Sequence, residues 1–488
     1  MTETIHFEIP AEDLGLIGPL LIITLTACLV LVIDLFRIGQ PKNFAFHLSW
    51  FGIVAASVFN LLLWSREDLR PVFGGMLTVD RFAVLFNALL YLSALLTLFL
   101  SRSYMQRAGV DIAEYYVMIL AVVMGMSIIA MSGDLIVLFL GVELLSIPLY
   151  VLAAILRSRR ASVEAGLKYF LLGAFASGFL LYGIALLYGA CGTTSIPEMI
   201  TDVNQQGPSK LLMAGLALIA VGLAFKIAAV PFHMWAPDVY EGAPTPITAF
   251  MATGVKIAGF AAIIRVFAFL DTPSNQTLST AAAVVAVVTM LVGNLGALPQ
   301  TNIKRMLAFS SVAHAGYLLV GLSAGLAIDD PEAYRAIAYY LAAYTFMTVG
   351  AFGVIIFLNI KGKECNQIPD MAGLAQRYPG IALPMAIFMF TLAGLPPSAG
   401  FFGKFYLFKA AVNADMVWLA IVAAIMSVIS LYYYLRVITT MYLLPPRDEP
   451  AEAEFHFCPA LVTLISVAGV LLLGIFPIWG LDLLKHVF

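Results

Sequence analysis

Charge is what this sequence has least of. Only 11% of its 488 residues are Asp, Glu, Lys or Arg, against about a quarter in an ordinary soluble domain. A chain so poor in charge cannot keep a water-soluble surface. With 62% hydrophobic residues and a mean hydropathy of +0.96, its apolar runs are long enough to cross a bilayer. The net charge of −3 supplies no basic surface, so no nucleic-acid partner is expected. Cysteine is sparse and scattered. Cys28, Cys191, Cys365 and Cys458 form no CxxC pair, which argues against an iron–sulfur cluster or a zinc ribbon. The six histidines have no regular spacing, so there is no bis-histidine haem pattern. No Gly-rich nucleotide loop sits between strand and helix patterns. The sequence predicts no cofactor-binding residue and no metal in this chain. The first residues, MTETIHFEIPAEDLG, hold no Lys or Arg, whereas a signal peptide needs a basic start. The run Leu16 to Phe36 therefore reads as a spanning helix in its own right.

The pattern of apolar runs predicts an all-α polytopic membrane protein with about fourteen transmembrane helices. They fall near 15–36, 43–64, 81–101, 114–132, 134–156, 163–190, 211–235, 243–268, 278–299, 303–327, 333–360, 380–412, 416–443 and 458–484. The shortest punctuation is Gly133–Asp134, between spans four and five. The chain reads as one membrane domain, 1–488, and its longest hydrophilic stretches, 361–378 and 445–456, read as connections only. The odd-numbered connections carry Arg37, Lys42, Arg102, Arg107, Arg157, Arg159, Arg160, Lys304, Arg305, Lys361, Lys363, Arg377 and Arg447. The even-numbered ones and the tails carry Arg66, Arg70, Lys210, Arg335, Lys409 and Lys485. The excess places the odd connections in the cytoplasm and both termini outside, the second connection running against the trend.

Against this background a few ionisable residues stand at membrane depth, where they are costly and tend to mark ion paths. Glu143 lies nine residues after Asp134, roughly 13 Å along a helix. Lys226 follows fifteen uncharged residues, Leu211 to Phe225. Lys256 has fourteen uncharged residues before it and eight after. His314 lies ten residues after Lys304, about 15 Å up its helix, and a neutral imidazole can both accept and donate a proton. Lys404 ends a stretch without charge from Tyr378 to Phe402. Glu164 and Lys168 form an i, i+4 pair in the favourable order near a helix start. His233 follows a proline break, where a structural role is as natural as a proton-carrying one. Asp238 and Glu241 read as mouth or helix-end residues, and Lys304 and Arg305 as interfacial anchors. For each buried group the bland alternative is a structural hydrogen bond or salt bridge.

Two spans are interrupted beside a lysine. Pro231 breaks the seventh after Lys226, and Pro396 and Pro397 break the twelfth before Lys404. Proline removes a donor and clashes one turn back, and the freed carbonyls are tolerated in a membrane only inside protein or along a wet cavity. The seventh and twelfth spans are five apart and so cross in opposite directions. Paired broken helices in inverted halves point to an ion site in secondary transporters. The expectation is two inverted five-helix repeats, 114–268 (spans four to eight) and 278–443 (spans nine to thirteen). Burial favours a neutral amine and a nearby carboxylate favours an ammonium. A Lys226 that meets and then leaves Glu143 would therefore take up and release a proton.

The stretches FLGVELLSIPLY, AFKIAAVPFHMWAPDVYEGAPTPITAF, QTNIKRMLAFSSVAHAGYLLVG, GLPPSAGFFGKFYLF and LYYYLRVI resemble, in order and over nearly the whole chain, the antiporter-like membrane subunits of respiratory NADH:quinone oxidoreductase (complex I). The resemblance implies fourteen transmembrane helices in two inverted five-helix repeats, with helices seven and twelve broken. It implies a proton-translocating module in the bacterial cytoplasmic membrane, packed against other membrane subunits of complex I, sister antiporter-like subunits among them. NADH, flavin, iron–sulfur clusters and quinone would belong to partner subunits. By resemblance, Glu143 and Lys226 match the family's glutamate and lysine on helices five and seven. Lys168, Lys256, His314 and Lys404 match groups on helices six, eight, ten and twelve. As a working mechanism, a proton enters from the cytoplasmic side near Lys168, is held at Lys226 and Glu143, passes Lys256 and His314, and leaves at Lys404. A cation/proton (Na+/H+) antiporter subunit shares this core and is the main alternative. A non-transporting scaffold comes after it, and quinone chemistry in this chain has no supporting signature.

Overall fold

Caps, glycines and prolines divide the apolar runs into crossings. The computed structural model describes residues 11–37, 42–206, 209–268, 274–360, 363–447 and 451–487. The first ten residues of the acidic N-terminal stretch, and Lys361 among the counted basic residues, lie outside the described residues. The first six crossings are α1 (Gly18–Leu35), α2 (Asn43–Trp64), α3 (Arg81–Arg107), α4 (Ala113–Met131), α5 (Leu135–Ala153) and α6 (Arg160–Cys191). The seventh is a broken pair, α7 (Lys210–Lys226) and α8 (Trp235–Gly242). Then come α9 (Thr245–Phe267), α10 (Ser274–Ala297), α11 (Ile303–Ile328) and α12 (Pro331–Phe357). A second broken pair follows, α13 (Pro379–Ala393) and α14 (Ala399–Asn413), and then α15 (Val417–Leu443) and α16 (Phe457–Ile475).

Among the described residues twelve helices are long and apolar enough to span a membrane. The two predicted spans missing from that set are the seventh and twelfth, which the prolines break. The chain is thus an all-α polytopic membrane protein. The Gly133–Asp134 punctuation suffices, because Asp134 caps α5 by accepting from the amides of Ile136 (2.7 Å) and Val137 (3.2 Å), satisfying donors that a helix start leaves free. The last predicted span is shorter than expected. A kink at Phe476 separates α16 from α17 (Pro477–Leu484), since proline cannot continue the hydrogen-bond ladder. In the core, α9 is wholly buried and contains a π turn, Met251–Val255, just before Lys256. Such turns favour functional sites.

The odd connections meet on one face and the even ones on the other. On the odd face the two longest hydrophilic stretches are more than connections. They supply β4 (Lys363–Glu364) and β5 (Glu452–Ala453), which pair with β3 (Leu358–Ile360), the last residues of the predicted eleventh span, in an antiparallel sheet ordered β4-β3-β5. Backbone groups that would be left unpaired beside the bilayer pair with one another instead. Arg159 pairs with Glu364 at 3.1 Å, and Arg107 with Glu454 at 3.3 Å. On the even face, β1 (Pro71–Val72) pairs with β2 (Leu77–Thr78), Arg70 holds Asp13 at 3.1 Å, and Arg81 reaches the carbonyl of His486. Both ends of the described chain therefore lie on the even face.

A matching bridge occurs on each face. The connection before α5 exchanges two backbone bonds with the one after α6: Leu135 N to Thr194 O (2.8 Å) and Ile196 N to Gly133 O (2.9 Å). The connection before α11 does the same with the one after α12: Ile303 N to Asn366 O and Ile368 N to Thr301 O, both 2.8 Å. Asn302 caps α11 as Asp134 caps α5.

Glu364 staples the odd face, accepting from the hydroxyl of Tyr104 and from Arg159. Burial pushes its carboxyl up, but the Lys304 charge, the Tyr104 hydroxyl and the Arg159 guanidinium outweigh burial and hold it below the ordinary carboxylate range. A depressed folded pKa gives stability that is complete above the unfolded value and is lost as pH falls through the folded one. Hydrogen exchange of the β4 amides should stay slow at neutral pH and accelerate only below about pH 4. Acceleration already near pH 6 would show that Glu364 does not hold the sheet.

Candidate functional site

The predicted ionisable residues separate into a buried set and a set at the odd face. Lys226, Lys256, Lys404 and His314 are 5%, 2%, 4% and 1% exposed. Burial of an ammonium demands partners, and each lysine has them. Lys226, at the end of α7, donates to Ser146 Oγ at 2.5 Å and lies 6.0 Å from the centre of the Tyr150 ring. Glu143, one turn below Ser146 on α5, is half-buried and accepts from Ser177 of α6. Lys226 and Glu143 thus hold separate hydroxyl partners while remaining within electrostatic range of each other. Across the bundle, a Cβ at Gly259 would lie 2.6 Å from Ile227 and 3.7 Å from the Lys226 side chain. That close approach sets α7 against α9 one turn beyond Lys256.

Lys256 donates to Ser311 Oγ at 2.7 Å and to the Ser311 carbonyl, beneath the Tyr344 ring at 4.9 Å. Next to Ser311, the Ser310 hydroxyl bonds Tyr434 of α15. Tyr434 also lies 3.0 Å from His314 Nε2, and Tyr340 of α12 lies 2.5 Å from His314 Nδ1. A neutral imidazole has one donor nitrogen and one acceptor nitrogen. One tyrosine therefore donates to His314 and the other accepts. Tyr317, with its ring centre 5.8 Å from that of His314, lies 4.8 Å beneath Lys404.

Lys404 depends on its helix break. It stands on α14 and donates back to the carbonyls of Leu392 (3.2 Å) and Ala393 (3.0 Å) at the end of α13, and to Ser427 (3.0 Å). The break frees those carbonyls, and a helix C-terminus favours a cation. Gly394 ends α13 at φ +83°, a conformation glycine adopts at little cost. Gly400 lets α14 approach so closely that a Cβ there would meet the Thr391 carbonyl at 1.9 Å. A cavity of about 220 Å³ beside the break is lined by Lys404, Ser427, Phe401, Phe405 and neighbouring apolar groups.

The remaining residues are not in this buried chain. Lys168 pairs with Glu164 at 2.8 Å and Asp238 at 2.6 Å. Arg305 bridges Asp238 at 2.6 Å and Glu241 at 3.0 Å, and Asn302 donates to Glu241 at 3.0 Å. This network lies at the odd face, where Asp238 and Glu241 are ion-paired. His233 is half-buried in the turn between α7 and α8, beside Pro231. Lys304 is not the interfacial anchor expected. It is 1% exposed and donates to the Ala243 carbonyl at 2.7 Å, because the odd-face sheet and the end of α8 lie against it. Sequence reasoning also missed Ser146, Tyr340 and Tyr434. The sequence signalled only the two serines one turn before His314. Among the described residues no group of three or more His, Cys, Asp or Glu could hold a metal.

The family described as NADH:quinone oxidoreductase/Mrp antiporter, TM matches residues 132–430. The chain is 45% identical over 467 residues to NADH-quinone oxidoreductase subunit N of Trichlorobacter lovleyi, covering 95% of each chain. Among solved structures it is similar to a chain of respiratory complex I from Thermus thermophilus. That match has 33% identity and a TM-score of 0.82, and covers 96% of this chain and 100% of that one. A chain of the Mrp complex from Dietzia shares the fold, with a TM-score of 0.85 at 22% identity over 98% and 97% of the two chains.

Proposed function

Because this chain belongs to the NADH:quinone oxidoreductase/Mrp antiporter membrane family, we propose that it is a proton-translocating membrane subunit of NADH:quinone oxidoreductase. The observation that carries this reading is the buried succession Ser146–Lys226, Lys256–Ser311, Tyr434–His314–Tyr340 and Lys404–Ser427. Each member holds or hands on a proton without any bond chemistry. Electron transfer, with NADH, flavin, iron–sulfur clusters and quinone, belongs to partner subunits. The chain sits in the bacterial cytoplasmic membrane, with the odd face cytoplasmic and both termini periplasmic.

In this reading Lys226 and Glu143 stand in their separated arrangement, each on its own hydroxyl. A second arrangement, ammonium against carboxylate, loads the lysine, and separation releases its proton toward Lys256. The imidazole of His314 relays it between two tyrosine hydroxyls, and Lys404 discharges it at the opened helix. The Lys168–Asp238 network is the uptake mouth. The repeats 114–268 and 278–443 are inverted copies. The paired bridges and caps on opposite faces support that reading, as does the register in which Ser146 and His314 each stand twelve positions beyond their caps, Asp134 and Asn302.

The test concerns the ion. The assembled complex, in vesicles and driven by NADH and quinone, should acidify the lumen with the same proton-to-electron ratio whether sodium or only choline is present. A ratio that falls with sodium removal would establish the cation/proton antiporter reading instead.

A further inference from the structure

We propose that the recess on the odd face between α3, α12 and the β4-β3-β5 sheet is a second, water-filled proton inlet, with Glu364 at its floor and Lys304 as the group it feeds. This rests on the proton-translocating reading above and names an uptake route separate from Lys168.

The recess has a volume of about 280 Å³, and its polar lining is Tyr104, Arg107, Arg159, Asn359, Glu364 and Glu454. Asn359 and Glu364 are direct partners across the β3–β4 pair, so their side chains share one face of the sheet. Asn359 is 6% exposed, and its side-chain amide nitrogen finds no hydrogen-bond partner within the protein. Buried amides are rarely left so. A polar recess of this size with an unmet donor is where ordered water belongs. Behind Glu364, Lys304 lies within electrostatic range of Glu364, Arg159 and Glu241. Its ammonium has three donors, and the Ala243 carbonyl takes one.

Lys304 opens α11, seven positions before Ser311, which holds Lys256, and ten before His314. That is roughly 10 and 15 Å along the helix, a span that a few waters bridge. At the Lys168 mouth, by comparison, Asp238 is shared between Lys168 and Arg305. An ionised Glu364 concentrates protons by its field without holding one for long. One proton leaves the Lys304 ammonium toward Ser311 and Lys256 as another arrives through the recess, so its charge is restored in each cycle.

The experiment uses the assembled complex in vesicles with the odd face outward. Asn359→Cys is exposed to a membrane-impermeant charged methanethiosulfonate, with the unsubstituted complex as the background for native cysteines. Lys304→Met is measured beside it. The cysteine should be labelled, and labelling should lower the proton-to-electron ratio of the complex by the loss of this chain's share while NADH oxidation continues. Lys304→Met should lower the ratio similarly without labelling. A cysteine that stays unlabelled, one that is labelled with an unchanged ratio, or a Lys304→Met complex that pumps normally would each overturn the inlet. Lys256→Met separates this failure from the larger one. If it removes this chain's share of pumping while the recess variants pump normally, only the inlet fails. If it too pumps normally, the buried path itself fails.

Discussion

Replacing Lys226 with Met in the assembled complex is expected to cut this chain's proton current at least tenfold, a barrier increase of about 1.4 kcal/mol or more. Methionine fills nearly the same volume and has no charge, so α7 should still pack against α6 and α9. Ser146 loses a donor but can bond back to the Val142 carbonyl, which it already reaches. The step that fails is the loading of a cation opposite Glu143. NADH oxidation should continue at the rate the remaining subunits allow, with fewer protons moved per electron. Lys226→Arg keeps a charge but replaces a titrating group with one that does not release its proton, so it should fail as Met does. A normal proton-to-electron ratio in both variants, with assembly verified, would make the lysine a structural hydrogen-bond donor and bring forward the scaffold reading.

Replacing Arg265 with Met is expected to destabilise the chain by about 3 kcal/mol. Arg265 ends α9, the helix that carries Lys256. Its guanidinium clasps Asp80 through two bonds, at 2.6 and 2.7 Å, and donates to the Ala130 carbonyl at 3.1 and 3.0 Å. It also lies 4.4 Å over the Phe82 ring. The pair thereby ties the ends of α9 and α4 to the start of α3 on the even face. The guanidinium side is 10% exposed but the carboxylate side is 38%, so the cost belongs at the lower end of the range for buried pairs. Asp80 also caps α3 through the Ala83 amide, so Asp80→Asn should retain part of that cap. The double variant Arg265→Met with Asp80→Asn should lose less than the sum of the two single changes, because no uncompensated charge remains. Thermal unfolding of the purified chain in detergent gives the cycle. Strict additivity would show that the two groups do not stabilise one another.

Much of the site was legible because its residues violate their surroundings. Lys226, Lys256 and Lys404 each interrupt a long uncharged run, and in a membrane such a group has few reasons to exist. The broken helices were legible for the same kind of reason, since proline has a local effect that needs no neighbour. Lys304 was misread by the same logic. It stands beside the polar run Gln300–Asn302, which marks a helix end, and nothing in that segment reveals that a sheet of 358–360, 363–364 and 452–453 lies against it. Tyr340 and Tyr434 were invisible among twenty tyrosines, since tyrosine is ordinary in a bilayer protein and only their hydrogen bonds to His314 distinguish these two. Glu364 and Tyr104 are 260 positions apart, and no periodicity links them.

The sequence by itself determined the number of crossings, their alternating faces, the two breaks and the charges at membrane depth. Each of these follows from local hydrophobicity, proline geometry or the cost of burying an ion. The tertiary structure alone decided that Lys226 rests on Ser146 while Glu143 rests on Ser177, that His314 sits between two hydroxyls, and that Lys304 lies behind a polar recess. Those pairings depend on how each helix is rotated against its neighbours. Side-chain packing between distant segments sets that rotation, and a single chain's pattern of apolar and polar positions does not record it.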